Sequence, residues 1–114
     1  MVPLEPASIV VIAFPFSDLS GSKLRPAVVF ADTGRNDWLL CQITSNPYSD
    51  PAAIRLTNDE LQKGELRSVS FARPLKLFTA NEALIAKRVA VPKDAAFKAI
   101  LKAAISGLQS NMPE

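Results

Sequence analysis

The chain has 114 residues, of which 48% are hydrophobic and 21% charged, with 13 lysines and arginines against 11 aspartates and glutamates. That is the size of a single domain and too apolar for a disordered chain, while the longest apolar run, Ile9 to Phe14, falls far short of the ~18 residues a membrane span needs. There is no histidine and a single cysteine, Cys41, which excludes Ser-His-Asp triads, paired-histidine nuclease centres, His-ligated and structural zinc sites, iron–sulfur ligation and any internal disulfide.

Residues 1–114 read as one domain in which 1–7 form a loose N-terminal tail. That tail has no basic residue and carries Glu5, so it makes a poor signal peptide, and a cytoplasmic chain is the simplest expectation. Residues 8–16, β-branched and aromatic, predict a strand buried on both faces, with Pro15 forcing an edge or a bend. A polar loop over 17–23 leads to a second strand, 26–31. The turn 32–37 contains residue types that tolerate a left-handed backbone, and a third strand follows over 38–44. The loop 45–51 is stiffened by Pro47 and Pro51, and 52–56 predict a short strand.

Thr57-Asn58-Asp59-Glu60 has the spacing of a capping box, with Gly64 as the end of one helical turn. Residues 67–71 alternate polar and apolar and predict a half-exposed strand. Arg73-Pro74 predicts a break, residues 75–78 resume extended pairing, and a last strand over 83–91 is interrupted by Lys87-Arg88. From Pro92 the period changes. Phe97, Ile100, Leu101, Ala104, Ile105 and Leu108 make a helical stripe facing the core, Pro92 suits the first turn, and Gly107 suits the end. The expected fold is mainly β (α+β), a small, strongly bent antiparallel sheet or barrel of five to seven strands with a C-terminal helix.

Charge is uneven. Residues 1–59 carry four basic and six acidic side chains, and residues 60–114 carry nine and five. The cationic second half is compatible with a polyanionic partner, or with a solvated surface. No phosphate-loop, dinucleotide or metal motif is present. Two polar clusters remain, each at a strand end: Lys23-Leu24-Arg25-Pro26 and Thr44-Ser45-Asn46. One turn joins the two strands between them, so Arg25 opens one strand and Thr44 closes the next at the same end of the sheet. A guanidinium and a hydroxyl there could grip a phosphate. Equally, Arg25 could pair with Asp18, and Thr44 could be a strand-end hydroxyl.

The order of these elements resembles that of the PemK/MazF toxins of toxin–antitoxin modules. It is carried by Phe14-Pro15-Phe16, then Arg25-Pro26-Ala27-Val28-Val29, then Ile43-Thr44-Ser45, and later Gly64 to Ser70, over roughly residues 8–108. The resemblance implies an SH3-like β-barrel with a C-terminal helix, usually a homodimer. It implies an endoribonuclease that needs no metal or other cofactor and cuts single-stranded RNA at short sequences. In that family the ribose 2′-hydroxyl attacks the adjacent phosphorus, and the motif positions place the catalytic arginine on Arg25 and the catalytic hydroxyl on Thr44. RNA contacts are expected from Phe16, Lys23, Ser45, Asn46 and Lys76. A cognate antitoxin is the implied partner, and operator DNA only for the toxin–antitoxin complex. The alternative is a catalytically inactive module of the same build that binds protein (antitoxin or a gyrase-type target) or DNA.

The chain departs from the family pattern at several points. Ala7-Ser8 stand where Gly-Asp is frequent, Leu24 separates two basic residues, Arg73-Pro74 replace an acidic residue and Gln, and Lys76 replaces Arg. These bear on RNA preference more than on fold. Other side chains keep two readings. Lys76, Lys87 and Arg88 could line a groove or be solvated. Phe16 could stack a base or be core, Trp38 could be core or dimer interface, and Tyr48 could stack or cap a loop. Cys41 reads as a small buried apolar residue.

Overall fold

The computed structural model describes residues 5–13, 24–47 and 49–114. Phe14-Pro15-Phe16, the 17–23 loop with Lys23, and Tyr48 lie outside the described residues. Among those described, seven strands form one sheet: β1 (Ile9–Ala13), β2 (Leu24–Gly34), β3 (Asp37–Thr44), β4 (Ile54–Leu56), β5 (Leu61–Gly64), β6 (Ser70–Asn81) and β7 (Ile85–Pro92). Their order is β4-β6-β3-β2-β1-β7-β5, and every pair is antiparallel. The ladder does not close into a ring, because β4 and β5 remain its edges. It curls instead. Leu56 of β4 and Leu61 of β5 join one core cluster with Ile9, Val28, Ile43 and Ala90, so both edges bend around the same apolar volume.

Alternation along the strands sorts residues onto two faces. Ile9, Val28, Cys41, Ile43 and Ala72 point to the first face. Val10, Ala27, Val29, Leu40, Phe78 and Ala80 point to the second, where Trp38 also packs. The helix α1 (Asp94–Gln109) covers the first face. Ile100 enters that core fully buried, and Phe97 meets Phe30 of β2 edge-to-face with ring centroids 6.2 Å apart.

The β2–β3 turn works as its composition predicts. Arg35 and Asn36 both take positive φ, 56° and 64°, the arrangement of a type I′ turn whose twist matches the flanking strands. Glu60 also reaches back as expected. It accepts the Thr57 N–H at 2.7 Å, and the Thr57 hydroxyl donates to the same carboxylate oxygen.

Several expectations needed correction. The helical turn is a 3₁₀ turn over Asn58–Glu60 that ends before Leu61, and Gly64 closes β5 rather than a helix. Residues 65–69 are irregular, and the predicted 67–71 strand begins only at Ser70. Arg73-Pro74 does not break β6. Pairing passes from Cys41↔Leu77 to Ile43↔Ala72, so the residues between bulge opposite Gln42, and Pro74 sits where no ladder donor is needed. Strand β7 runs unbroken through Lys87-Arg88. Pro92 ends β7, with Lys93 as the helix N-cap. Gly107 lies inside α1, where a Cβ would meet Leu75 Cδ1 at 2.8 Å. The stripe is only half core. Ile100 and Ala104 are buried, but Ile105 and Leu108 are 52% and 60% exposed.

Candidate functional site

The two strands carrying the expected pair are fixed by the β2–β3 register. Its pairs include Val28↔Cys41 and end at Ala27↔Gln42. Pro26 has no N–H to continue the ladder. Carried two residues further, the same register sets Arg25 opposite Thr44. Face assignment agrees. Arg25 shares its face with Ile12, its partner on β1, and with Ala27. Thr44 alternates with Ile43, which points into the first core, so Thr44 lies on the second face. Directly opposite residues bring their Cβ atoms to about 5 Å, within reach of one bound phosphate.

The two groups differ in access. Arg25 is half-buried, and among the described residues its guanidinium takes part in no ion pair. Asp18, its alternative partner, lies outside those residues. Thr44 is 7% exposed. Its hydroxyl accepts the Asn46 N–H and donates to the Asn46 carbonyl, both at 3.1 Å. The hydroxyl therefore holds the start of the 45–53 loop. Rotating its single proton off the Asn46 carbonyl would free it for a ligand oxygen, while a lone pair keeps the Asn46 N–H.

Ser45 and Asn46 continue from Thr44 and are exposed. Lys76 is also exposed and belongs to the β6 bulge opposite Gln42. Phe16 and Lys23 lie outside the described residues. Lys87 and Arg88 face solvent on β7, paired with Val11 and Val10 of β1, on the far side of β1 from Arg25. Trp38 is core rather than free surface. Its Nε1 is buried and has no hydrogen-bond partner among the described residues.

Sequence reasoning missed a polar group beside this pair. Gln42 is two residues before Thr44 and so shares its face. Arg73 Nη1 donates to Gln42 Oε1 at 3.4 Å, and Arg73 Nε pairs with Asp50 Oδ2 at 3.0 Å. The ion pair ties the 45–53 loop to the bulge of β6. The Ala52 N–H, and then Arg73, hold the Asp50 carboxyl below its ordinary range. Period-two counting back from Thr44 would have found Gln42. Nothing local links Asp50 to a residue 23 positions away. The Cys41 thiol donates to the Arg73 carbonyl at 3.1 Å, and burial pushes it up to about 12, so it holds no thiolate at neutral pH. Among the described residues no group of three or more Cys, Asp or Glu side chains is placed to hold a metal ion.

This end of the second face therefore offers one guanidinium that makes no ion pair among the described residues, a buried hydroxyl, and a second guanidinium neutralised by a carboxylate. Such a site favours an anion over a cation.

The family profile described as PemK-like, MazF-like toxin of type II toxin-antitoxin system matches residues 5–107. No curated protein matches in sequence. Solved structures do match. A MazE–MazF structure (Form-III) from Deinococcus radiodurans superposes with a TM-score of 0.74 at 15% identity, covering 96% of this chain and 98% of that one. An endoribonuclease in complex with its cognate antitoxin from a mycobacterial species gives 0.70 at 11% identity, covering 99% and 100%. Mycobacterium tuberculosis toxin MazF-mt6 gives 0.70 at 10% identity, covering 90% and 96%. At such identities the likeness establishes the fold.

Proposed function

The chain belongs to the PemK-like, MazF-like toxins of type II toxin–antitoxin systems, and from that membership we propose that it is an endoribonuclease cutting single-stranded RNA at a short sequence without a metal ion. The reading rests on the β2–β3 register, whose last pair is Ala27↔Gln42 and which, carried two residues on, sets Arg25 across from Thr44 on one face of the sheet. The solved relatives described as endoribonucleases support it.

In the proposed reaction the 2′-oxygen of one ribose attacks the adjacent phosphorus. The new bond is O2′–P, and the bond to the 5′-oxygen of the next nucleotide breaks. The 2′-hydroxyl gives up its proton and the departing 5′-oxygen takes one up. The products are a cyclic phosphate and a free 5′-hydroxyl. Charge builds on the nonbridging oxygens of the pentavalent phosphorus. The Arg25 guanidinium, planar and always charged, stabilises it there. The Thr44 hydroxyl, once turned from Asn46, holds a nonbridging oxygen or the attacking hydroxyl in line. Ser45, Asn46, Lys76, Phe16 and Lys23 serve RNA binding around this pair. The toxin works in the cytoplasm as a homodimer and is silenced by an antitoxin polypeptide. Operator DNA is contacted only by the toxin–antitoxin complex.

One observation favours a second reading. The Thr44 hydroxyl is buried and already engaged with Asn46, as suits a silent module that binds an antitoxin, a gyrase-type target or DNA. The full-length chain incubated with long single-stranded RNA in EDTA separates the two. Cleavage is expected from the parent. Arg25→Ala should lower the rate at least about a hundred-fold, the usual cost of removing one transition-state donor, with the melting temperature held. Thr44→Ala should slow cutting to a similar degree, with some loss of melting temperature because its hydroxyl also fastens the 45–53 loop through Asn46, and Thr44→Ser should restore cutting. Intact RNA with the parent protein would leave the silent module standing.

A further inference from the structure

The Arg25–Thr44 pair does not stand at the edge of the sheet. The same row of residues continues across two more strands. Thr44 pairs with Phe71 of β6, and Phe71 pairs with Arg55 of β4. Opposite residues in an antiparallel ladder point to one face, so Arg25, Thr44, Phe71 and Arg55 form a continuous line on the second face. At about 4.8 Å per strand the line runs roughly 14 Å from Arg25 to Arg55.

Ser70 and Ala72 on either side of Phe71 are buried, and the large ring takes the opposite face, where it is partly exposed. Phe30 and Phe97 pack against the first core and Phe78 belongs to the second, whereas Phe71 is part of neither. Arg55 repeats the pattern on β4. Ile54 and Leu56 turn to the first core while Arg55 is exposed. Glu60 lies within electrostatic reach of Arg55, yet among the described residues Arg55 makes no ion pair. The helix covers the first face through Ile100, Ala96 and Phe97, leaving it on the far side of the sheet from this line.

We propose that Phe71 and Arg55 extend the site as a track for single-stranded RNA, the Phe71 ring stacking on a base beside the gripped phosphate and Arg55 holding a phosphate further along. An aromatic face between two guanidiniums matches the alternation of base and phosphate in an unpaired strand. Stacking on a ring accepts any base, whereas a paired duplex would hide its faces. This rests on reading the Arg25–Thr44 end as the RNA-cutting centre.

The test uses the full-length chain and a short RNA spanning a cleavage site mapped by sequencing fragment ends. The RNA is made uniformly 2′-O-methyl, so it can be bound but not cut. Binding is followed by fluorescence anisotropy across a salt series. Phe71→Leu, which keeps apolar bulk but removes the ring, should weaken binding about ten-fold. Arg55→Gln should weaken it and lower the slope of log affinity against log salt by about 0.7, the loss of one phosphate contact to a single strand. Lys98→Gln, on the exposed side of α1, should bind within about two-fold of the parent. Melting curves confirm that each variant is folded. If Phe71→Leu and Arg55→Gln bind like the parent while the parent cuts RNA, the track is wrong and the cutting centre stands. If Lys98→Gln weakens binding as much as Arg55→Gln, the track is equally overturned, since the attraction is then diffuse. A parent that neither cuts nor binds RNA overturns the cutting centre, and the track with it.

Discussion

Ala7 carries a left-handed backbone, φ 74°, just before β1, and its N–H donates to Val29 O at 2.8 Å. A side chain in that region costs about 1–2 kcal/mol, because Cβ crowds the following carbonyl. Glycine there avoids the crowding but loses about 0.5–1 kcal/mol of extra chain entropy. The crowding is the larger effect, so Ala7→Gly should stabilise by about 0.5 kcal/mol, read as a shifted urea midpoint with unchanged slope. A lower midpoint would show that the strain is relieved elsewhere. The sequence marked Ala7-Ser8 as a departure but could not say that the backbone there is left-handed, because that follows from the bond to Val29. Thr44 is similar. Its strand-end position was legible, yet its hydrogen bonds to Asn46 were not, because they depend on how the loop folds back.

At the scale of elements, the short edge strand β5 meets β7 at a place with no room for a side chain. A Cβ on Gly64 would lie 2.1 Å from Val89 O and 2.7 Å from Ala90 Cα, and its φ is 74°. Both neighbours are backbone, so relief requires parting the strands. Gly64→Ala should therefore cost about 3 kcal/mol, combining overpacking with left-handed strain. Chemical denaturation measures it, and a loss below about 1 kcal/mol would mean that β5 simply detaches. The sequence offered Gly64 as a helix end because a capping box preceded it. The box formed, but the turn stopped after Glu60, since Leu61 is drawn into the core with Ile9 and Ala90. Pro74 was read as a break for an equally local reason. A long strand absorbed it by bulging opposite Gln42.

Across the whole molecule, the two core clusters share β1, β2, β3 and β6, one on each face. Neither can be lost while the other keeps its strands. Thermal unfolding followed by Trp38 fluorescence, which reports the second cluster, should coincide with far-UV circular dichroism, which reports the helix on the first. Two separated midpoints would show that α1 undocks first. The cationic second half is divided in space. Lys87, Arg88 and the lysines of α1 lie away from the row, Arg73 and Lys76 stand at the β6 bulge beside it, and Arg25 and Arg55 come from the acidic half. Sequence alone determined the strand–turn–strand order, the closing helix, and the placing of Arg25 and Thr44 toward the same end of the β2–β3 hairpin. Those depend on residue periodicity and on one short turn that sets register between neighbours in the chain. Tertiary structure alone decided the open but curled sheet, the tie of Arg73 to Asp50, and the alignment of Phe71 and Arg55 with that pair. These arise from strands adjacent in space and distant in sequence, whose register is chosen by which side chains the common core will accept.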